Sequence, residues 1–271
     1  MLAEYQALNT RLARVAAPLR IANAELCPRT IRDPGFTTHE LGDYPELLRP
    51  VAQELMGLEP GGIHVRSVRA GTSADDQRIE PGDRVLAVNG DEISAEPLMD
   101  AYNRAVLRNG FDSVQPRVRL RPAAGQDFTA RIRPQTACDI PARVIHDDAV
   151  NGHTDGREVL ITSGLMRAVP DDTNLALIVA HEMSHVIAGH NMQSQAIELE
   201  ADRMALTLLA RAGYDVEAAV GYWAEAVHPH GGGDMGESTH PTLQARYENF
   251  RTELARIAAV PEGAKLDFAT P

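Results

Sequence analysis

Lysine is almost missing from this chain: of 26 basic residues only Lys265 is lysine, and 38 acidic residues bring the net charge to -12. So little positive charge argues against a nucleic-acid partner, because binding phosphates needs a basic face. Cysteine is scarce too, with two in 271 residues. That speaks against a structural zinc module, whose closed site is usually rich in cysteine. No stretch approaches the roughly 18 apolar residues of a membrane span, so the chain as given is expected to be soluble, with no membrane span. The opening residues lack the charged-then-apolar pattern of a secretory signal. Repeats and low-complexity tracts are also missing, apart from Gly231-Gly232-Gly233. What remains is a globular chain, 44% hydrophobic, long enough to bury two cores.

The densest chemical signal is His181-Glu182-Met183-Ser184-His185. Imidazoles four residues apart on a helix point the same way and can grip one metal ion, and a carboxylate between them can take a proton from an activated water. The surrounding residues predict that helix. Asp171, Asp172 and Thr173 offer capping oxygens, and Leu175, Ile178, Val179, Met183, Val186 and Ile187 recur at helical spacing. The plain alternative is a pair of ordinary helix histidines. Downstream, Glu198-Leu199-Glu200-Ala201-Asp202 is expected to open a second helix ending near Gly213, with Glu198 and Asp202 on one face. Two histidines and a glutamate are a standard catalytic zinc set, which makes Glu198 the third candidate ligand. Asp202 is placed to accept from a ligand histidine's second nitrogen. Read alone, these acidic residues would be a solvated helix start.

The order H-E-x-x-H then E-x-x-A-D resembles the gluzincin peptidases of the HtpX and CAAX-prenyl-endopeptidase type, including BepA-like relatives. Asn151, Gly156 and Gly164-Leu165 are similar to that family's N-A-x-x-x-G strand segment, and Ser238-Thr239-His240-Pro241 with Arg246 is similar to its T-H-P-x-x-x-x-R segment. The resemblance implies one zinc ion per chain held by His181, His185 and Glu198, with Glu182 as general base. It also implies an edge strand where Asn151, Val159, Leu160, Ile161 and Thr162 receive an extended substrate. His240 or Arg246 is a candidate oxyanion donor. His240 has a rival role as a fourth zinc ligand holding the enzyme latent, on a segment that the glycine run frees to move. His228 and His230 are read as solvated loop histidines. His190 matches a histidine frequent in the family, but five residues beyond His185 it falls off the ligand face, and we read it as structural or supporting. The chain departs from the family in having only 190–197 between the two helices, so the reversal must be tight.

The first half has another grammar. From about residue 51 to 134, short β-rich runs such as Ile63–Val68 and Arg84–Val88 alternate with turn signals. The run from Glu80-Pro81-Gly82-Asp83 to Asn89-Gly90-Asp91-Glu92-Ile93 resembles the heart of a bacterial PDZ domain. By position, Gly61, Gly62 and Ile63 would form its loop for a peptide's C-terminal carboxylate. The alternative is an occluded groove. Ahead of it, Leu2, Tyr5, Leu8, Leu12, Val15 and Leu19 predict an amphipathic helix. Cys27 and Cys138 bracket the PDZ-like run. A disulfide between them would staple its ends and imply an oxidising compartment, a bacterial periplasm or cell envelope. Two buried free thiols are the alternative.

The expected fold class is α+β: a mainly helical zincin-type peptidase domain with a small sheet and edge strand, plus a β-rich PDZ-like domain and an N-terminal helix. Expected boundaries are 1–49 for the helix and connector, 50–137 for the PDZ-like domain and 138–271 for the peptidase. The expected activity is zinc-dependent hydrolysis of extended or unfolded polypeptides. A latent or inactive peptidase acting as a PDZ-centred binding or chaperone-like envelope protein is the other reading.

Overall fold

The structure, a computed structural model, describes residues 2–96, 99–192, 194–226, 241–261 and 263–268. Its contacts divide the chain into two compact units, Met1–Thr10 with Thr30–Ala137 and Arg11–Arg29 with Cys138–Pro271. The division passes through helix α1 (Leu2–Ala22). Leu12, Val15 and Leu19 of the expected stripe are almost fully buried, and Leu8 is half-buried.

In the first unit, β1 (Thr30–Asp33) leads to β2 (Phe36–His39), α2 (Arg49–Met56) and β3 (Ile63–Val68). Then follow α3 (Ser73–Asp76), β4 (Arg84–Val88), β5 (Asp91–Glu92), α4 (Asp100–Phe111), β6 (Arg117–Arg121), β7 (Phe128–Arg131) and β8 (Gln135–Cys138). The sheet runs β2-β3-β4-β6-β7, with β5 hairpinned to β4, while β1 pairs separately with β8. β6 shows why it forms: its arginines alternate with Val118 and Leu120, which are buried, so one face fills the core and the other meets water. Asn89 and Gly90 both have positive φ, 55° and 99°, the signature of a primed hairpin turn.

The expected start of this domain at residue 50 falls inside the unit, because β2 lies upstream of it and pairs with β3 from Phe36↔Val68 to His39↔His64. The same pairing corrects the peptide cradle assigned to Gly61, Gly62 and Ile63. β3 is an interior strand with β2 on one side and β4 on the other, so a peptide has no edge to join there. Gly62 N–H already donates to the Glu59 carbonyl at 2.9 Å, Ile63 is core, and a Cβ on Gly61 would lie 2.9 Å from the Ala95 backbone.

A buried polar knot joins α1, β2 and β3 within this unit. His39 Nδ1 lies 2.5 Å from Tyr44 Oη and 3.0 Å from Gln6 Nε2. Burial first, and then the Arg66 and His64 charges, push the His39 imidazole down to about 3. Burial also lowers His64. The folded chain therefore binds fewer protons here than the unfolded chain, so stability is full above the unfolded value of about 6.5 and is lost as pH falls towards 3. The unfolding free energy of the whole chain should drop by about 2 kcal/mol between about pH 7.5 and pH 5 from His39 alone. Denaturant titrations at both pH values check this, and His39→Asn should flatten the slope. An unchanged slope in that variant excludes the assignment.

The second unit begins with the later turns of α1 and resumes with β9 (Ala142–Ile145), β10 (Gly152–Thr154), β11 (Val159–Thr162) and α5 (Ser163–Ala168). It continues with α6 (Asp172–Ala188), α7 (Gln195–Arg211), α8 (Val216–Ala226) and α9 (Leu243–Ala258). Cys27 and Cys138, 111 positions apart, are joined, Cα to Cα 5.6 Å, so the disulfide lies in this unit and closes the excursion between them.

The small sheet is ordered β10-β11-β9, which corrects the strand assigned to substrate. Val159, Leu160, Ile161 and Thr162 form the central strand, antiparallel to β10 and parallel to β9, and all four are buried. The Asn151 carbonyl accepts from Thr162 N–H at 3.0 Å, and Thr162 Oγ1 caps α5 by accepting from Leu165 N–H at 3.1 Å. Among the described residues, the strand with an unpaired side next to α6 is β10. Gly164 is held to glycine, since a Cβ would lie 2.2 Å from the Asp148 carbonyl oxygen.

Candidate metal centre

Helix α6 carries both histidines. Asp171 caps it by accepting from Thr173 and Asn174 N–H, and the helix is buried on most of its faces rather than along one stripe. The i, i+4 spacing sets the His181 and His185 rings 4.8 Å apart with their Nε2 atoms at 3.2 Å. The second helix begins earlier than expected: Ser194 caps α7 through Ile197 N–H, which places Glu198 in the first turn. From there Glu198, 4% exposed, reaches His181 Nε2 at 3.4 Å through Oε2 and His185 Nε2 at 3.6 Å through Oε1. A tetrahedral cation with bonds of roughly 2.1 Å spaces its ligand atoms about 3.4 Å apart. The two Nε2 atoms already stand close to that spacing, and among the described residues His181, His185 and Glu198, with one ligand atom each all within 4.8 Å of one another, form the triangle of side chains able to hold a metal.

The electrostatics agree. Burial opposes charge on His181, but hydrogen bonds to Asp202 and Glu198 outweigh it and lift the imidazole to about 9. Burial and the His181 charge press His185 down to about 4. The back of His181 is held firmly: Nδ1 lies 3.0 Å from Asp202 Oδ1, and Asp202 is fully buried. Arg246 on α9 grips that carboxylate through Nε at 2.8 Å and through Nη2. Burial would raise Asp202, but Arg246 and His181 together hold it below the usual carboxylate range.

The sequence model of peptidase family M48 matches residues 141–198 and 191–254, which contain all of these groups. The match falls on the C-terminal unit and spans less than half of the chain. A PDZ domain model matches residues 46–107, ahead of the peptidase. No curated protein matches the chain. Among solved structures, the HtrA3 PDZ domain bound to a phage-derived ligand (FGRWV) is 19% identical over 40% of this chain and 89% of that one. The TM-score of that pair is 0.28.

Within the region similar to M48 the structure redistributes the other expected residues. Arg246 was a candidate oxyanion donor, yet it sits behind His181, on the Nδ1 side, with its guanidinium spent on Asp202. It steadies the residue that steadies the ligand. Glu182 is half-buried beside the triangle; burial raises its carboxyl, against the lowering charges of His181 and His153. His153, exposed on β10, was not singled out by the sequence reading, although it lies within the Asn151–Gly156 segment that was. His240, His228 and His230 lie outside the described residues. His190 departs most from expectation: its Nδ1 lies 3.0 Å from His185 Nδ1.

Proposed function

We propose that the chain is a zinc-dependent endopeptidase acting on extended or unfolded polypeptide, with the PDZ domain binding substrate or regulating access. The cluster of His181, His185 and Glu198 carries the reading, with the two Nε2 atoms 3.2 Å apart and Glu198 Oε2 and Oε1 3.4 and 3.6 Å from them. Zinc in that triangle would supply Lewis-acid polarisation of a carbonyl and a more acidic water. Asp202 accepts the His181 Nδ1 proton, which leaves Nε2 free to face inwards. Glu182 takes the proton of the attacking water and delivers it to the leaving amine.

The edge of β10 supports the substrate class, since unpaired backbone groups add an extended chain with little regard to its side chains. On the PDZ side, the corresponding edge is β2. His240 remains a proposal as an oxyanion donor or as a removable fourth ligand. The disulfide supports an oxidising compartment such as a bacterial periplasm or envelope, and among the described residues no helix is long and apolar enough to cross a membrane.

The test is cleavage of fluorogenic unfolded casein by the whole chain. Activity should vanish with 1,10-phenanthroline and return with one equivalent of zinc. Cleavage that persists in chelator would remove the metal from the mechanism. A zinc-loaded chain that cleaves nothing would favour the PDZ-centred binding protein.

A further inference from the structure

On a continuous helix a residue five places beyond His185 would point elsewhere, yet His190 returns to it. The cause is the end of α6. Gly189 adopts φ 68°, its N–H bonds to the Val186 carbonyl at 3.3 Å, and the His190 N–H bonds to the His185 carbonyl at 3.0 Å. This paired closure reverses the chain in one residue and lays the His190 ring over the back of His185, ring centroids 5.1 Å apart. The His190 side chain is 10% exposed, and its Nε2 faces the Glu200 carboxylate of α7 at 3.6 Å.

The geometry points to His190 as a positioning residue: by accepting the His185 Nδ1 proton on its own Nδ1, it fixes the tautomer that leaves His185 Nε2 free for the metal. The inference rests on the metal site proposed above. Proton placement follows from donor counting. A His185 that offers Nε2 to a cation must carry its proton on Nδ1, so the atom 3.0 Å away must be an acceptor. A His190 that accepts on Nδ1 carries its own proton on Nε2, which is the atom turned to Glu200. The run His185, His190, Glu200 is thus consistent from end to end, each proton pointing away from the metal face. The two candidate ligand imidazoles are oriented by unlike partners: His181 by a buried carboxylate clamped by Arg246, and His185 by the His190 imidazole, whose far side meets the half-exposed Glu200 carboxylate. Losing such an outer partner weakens metal binding about 10- to 100-fold.

The experiment is zinc competition between the full chain and a chromophoric chelator, with the cobalt-substituted absorption spectrum as a second readout. His190→Ala should bind zinc about 10- to 100-fold more weakly and shift the cobalt bands. His190→Asn, whose Oδ1 can replace the ring Nδ1 as acceptor, should bind within about threefold of wild type and restore the bands. A purely packing role for His190 would not distinguish the two variants in this way. His190→Ala with wild-type zinc affinity, or His190→Asn as weak as His190→Ala, overturns the inference and leaves the metal site standing. A wild-type chain that takes up no zinc sinks the site and this inference together.

Discussion

Glu182→Gln is expected to lower the turnover of unfolded casein by about 10²- to 10⁴-fold while leaving zinc binding in place. The substitution keeps the size and the hydrogen-bonding outline of the side chain and removes only its capacity to hold a transferable proton. The candidate ligand atoms are on His181, His185 and Glu198, so the triangle does not depend on the Glu182 carboxylate. Kinetics and metal stoichiometry must therefore separate: turnover falls and bound zinc stays at one per chain. If the variant keeps more than about a tenth of wild-type turnover, Glu182 is not the base. If it loses zinc as well, Glu182 belongs to the ligand set and the triangle has been misread.

Opening the Cys27–Cys138 bridge should produce the largest loss of stability. In the chain-entropy model, closing a loop of this length restricts the unfolded chain by about 4 to 5 kcal/mol, and the bonded cysteines are 111 residues apart. The fold qualifies where that stabilisation appears. β1 and β8 already pair at the two ends of the excursion, so while the inserted unit stays folded its ends are held without the bridge. The full effect therefore belongs to transitions in which both units unfold. Urea unfolding with and without reductant, and of the double Cys→Ser variant, should differ by about 4 kcal/mol for global unfolding. Hydrogen exchange in α6 and α7 should change less while β2 to β7 remain protected. Superimposable oxidised and reduced curves would show that the bridge contributes nothing.

Much of the candidate metal site was legible because it is local. The i, i+4 spacing of His181 and His185 places both rings on one helix face wherever that helix lies, and Glu198 with Asp202 does the same one helix later. Asn89-Gly90 likewise declared its hairpin through backbone freedom that few other pairs possess. The misreadings concern neighbours across space. The apolar run Val159-Leu160-Ile161 was assigned to an edge, although an unbroken apolar run is itself the mark of a strand covered on both faces, as β11 is.

The sequence by itself determined the chemistry available to this protein: which side chains could bind a metal, which could carry a proton, and which cysteines could be joined. Those properties depend on residue type and on periodicities set by the backbone. Tertiary structure alone decided what each group faces. It put Arg246 behind Asp202 rather than over a substrate, made β3 and β11 interior strands, and folded His190 back onto His185 through one left-handed glycine. The physical reason is that strand neighbours and side-chain partners are chosen by burial and pairing between segments distant in sequence, which no local spacing encodes.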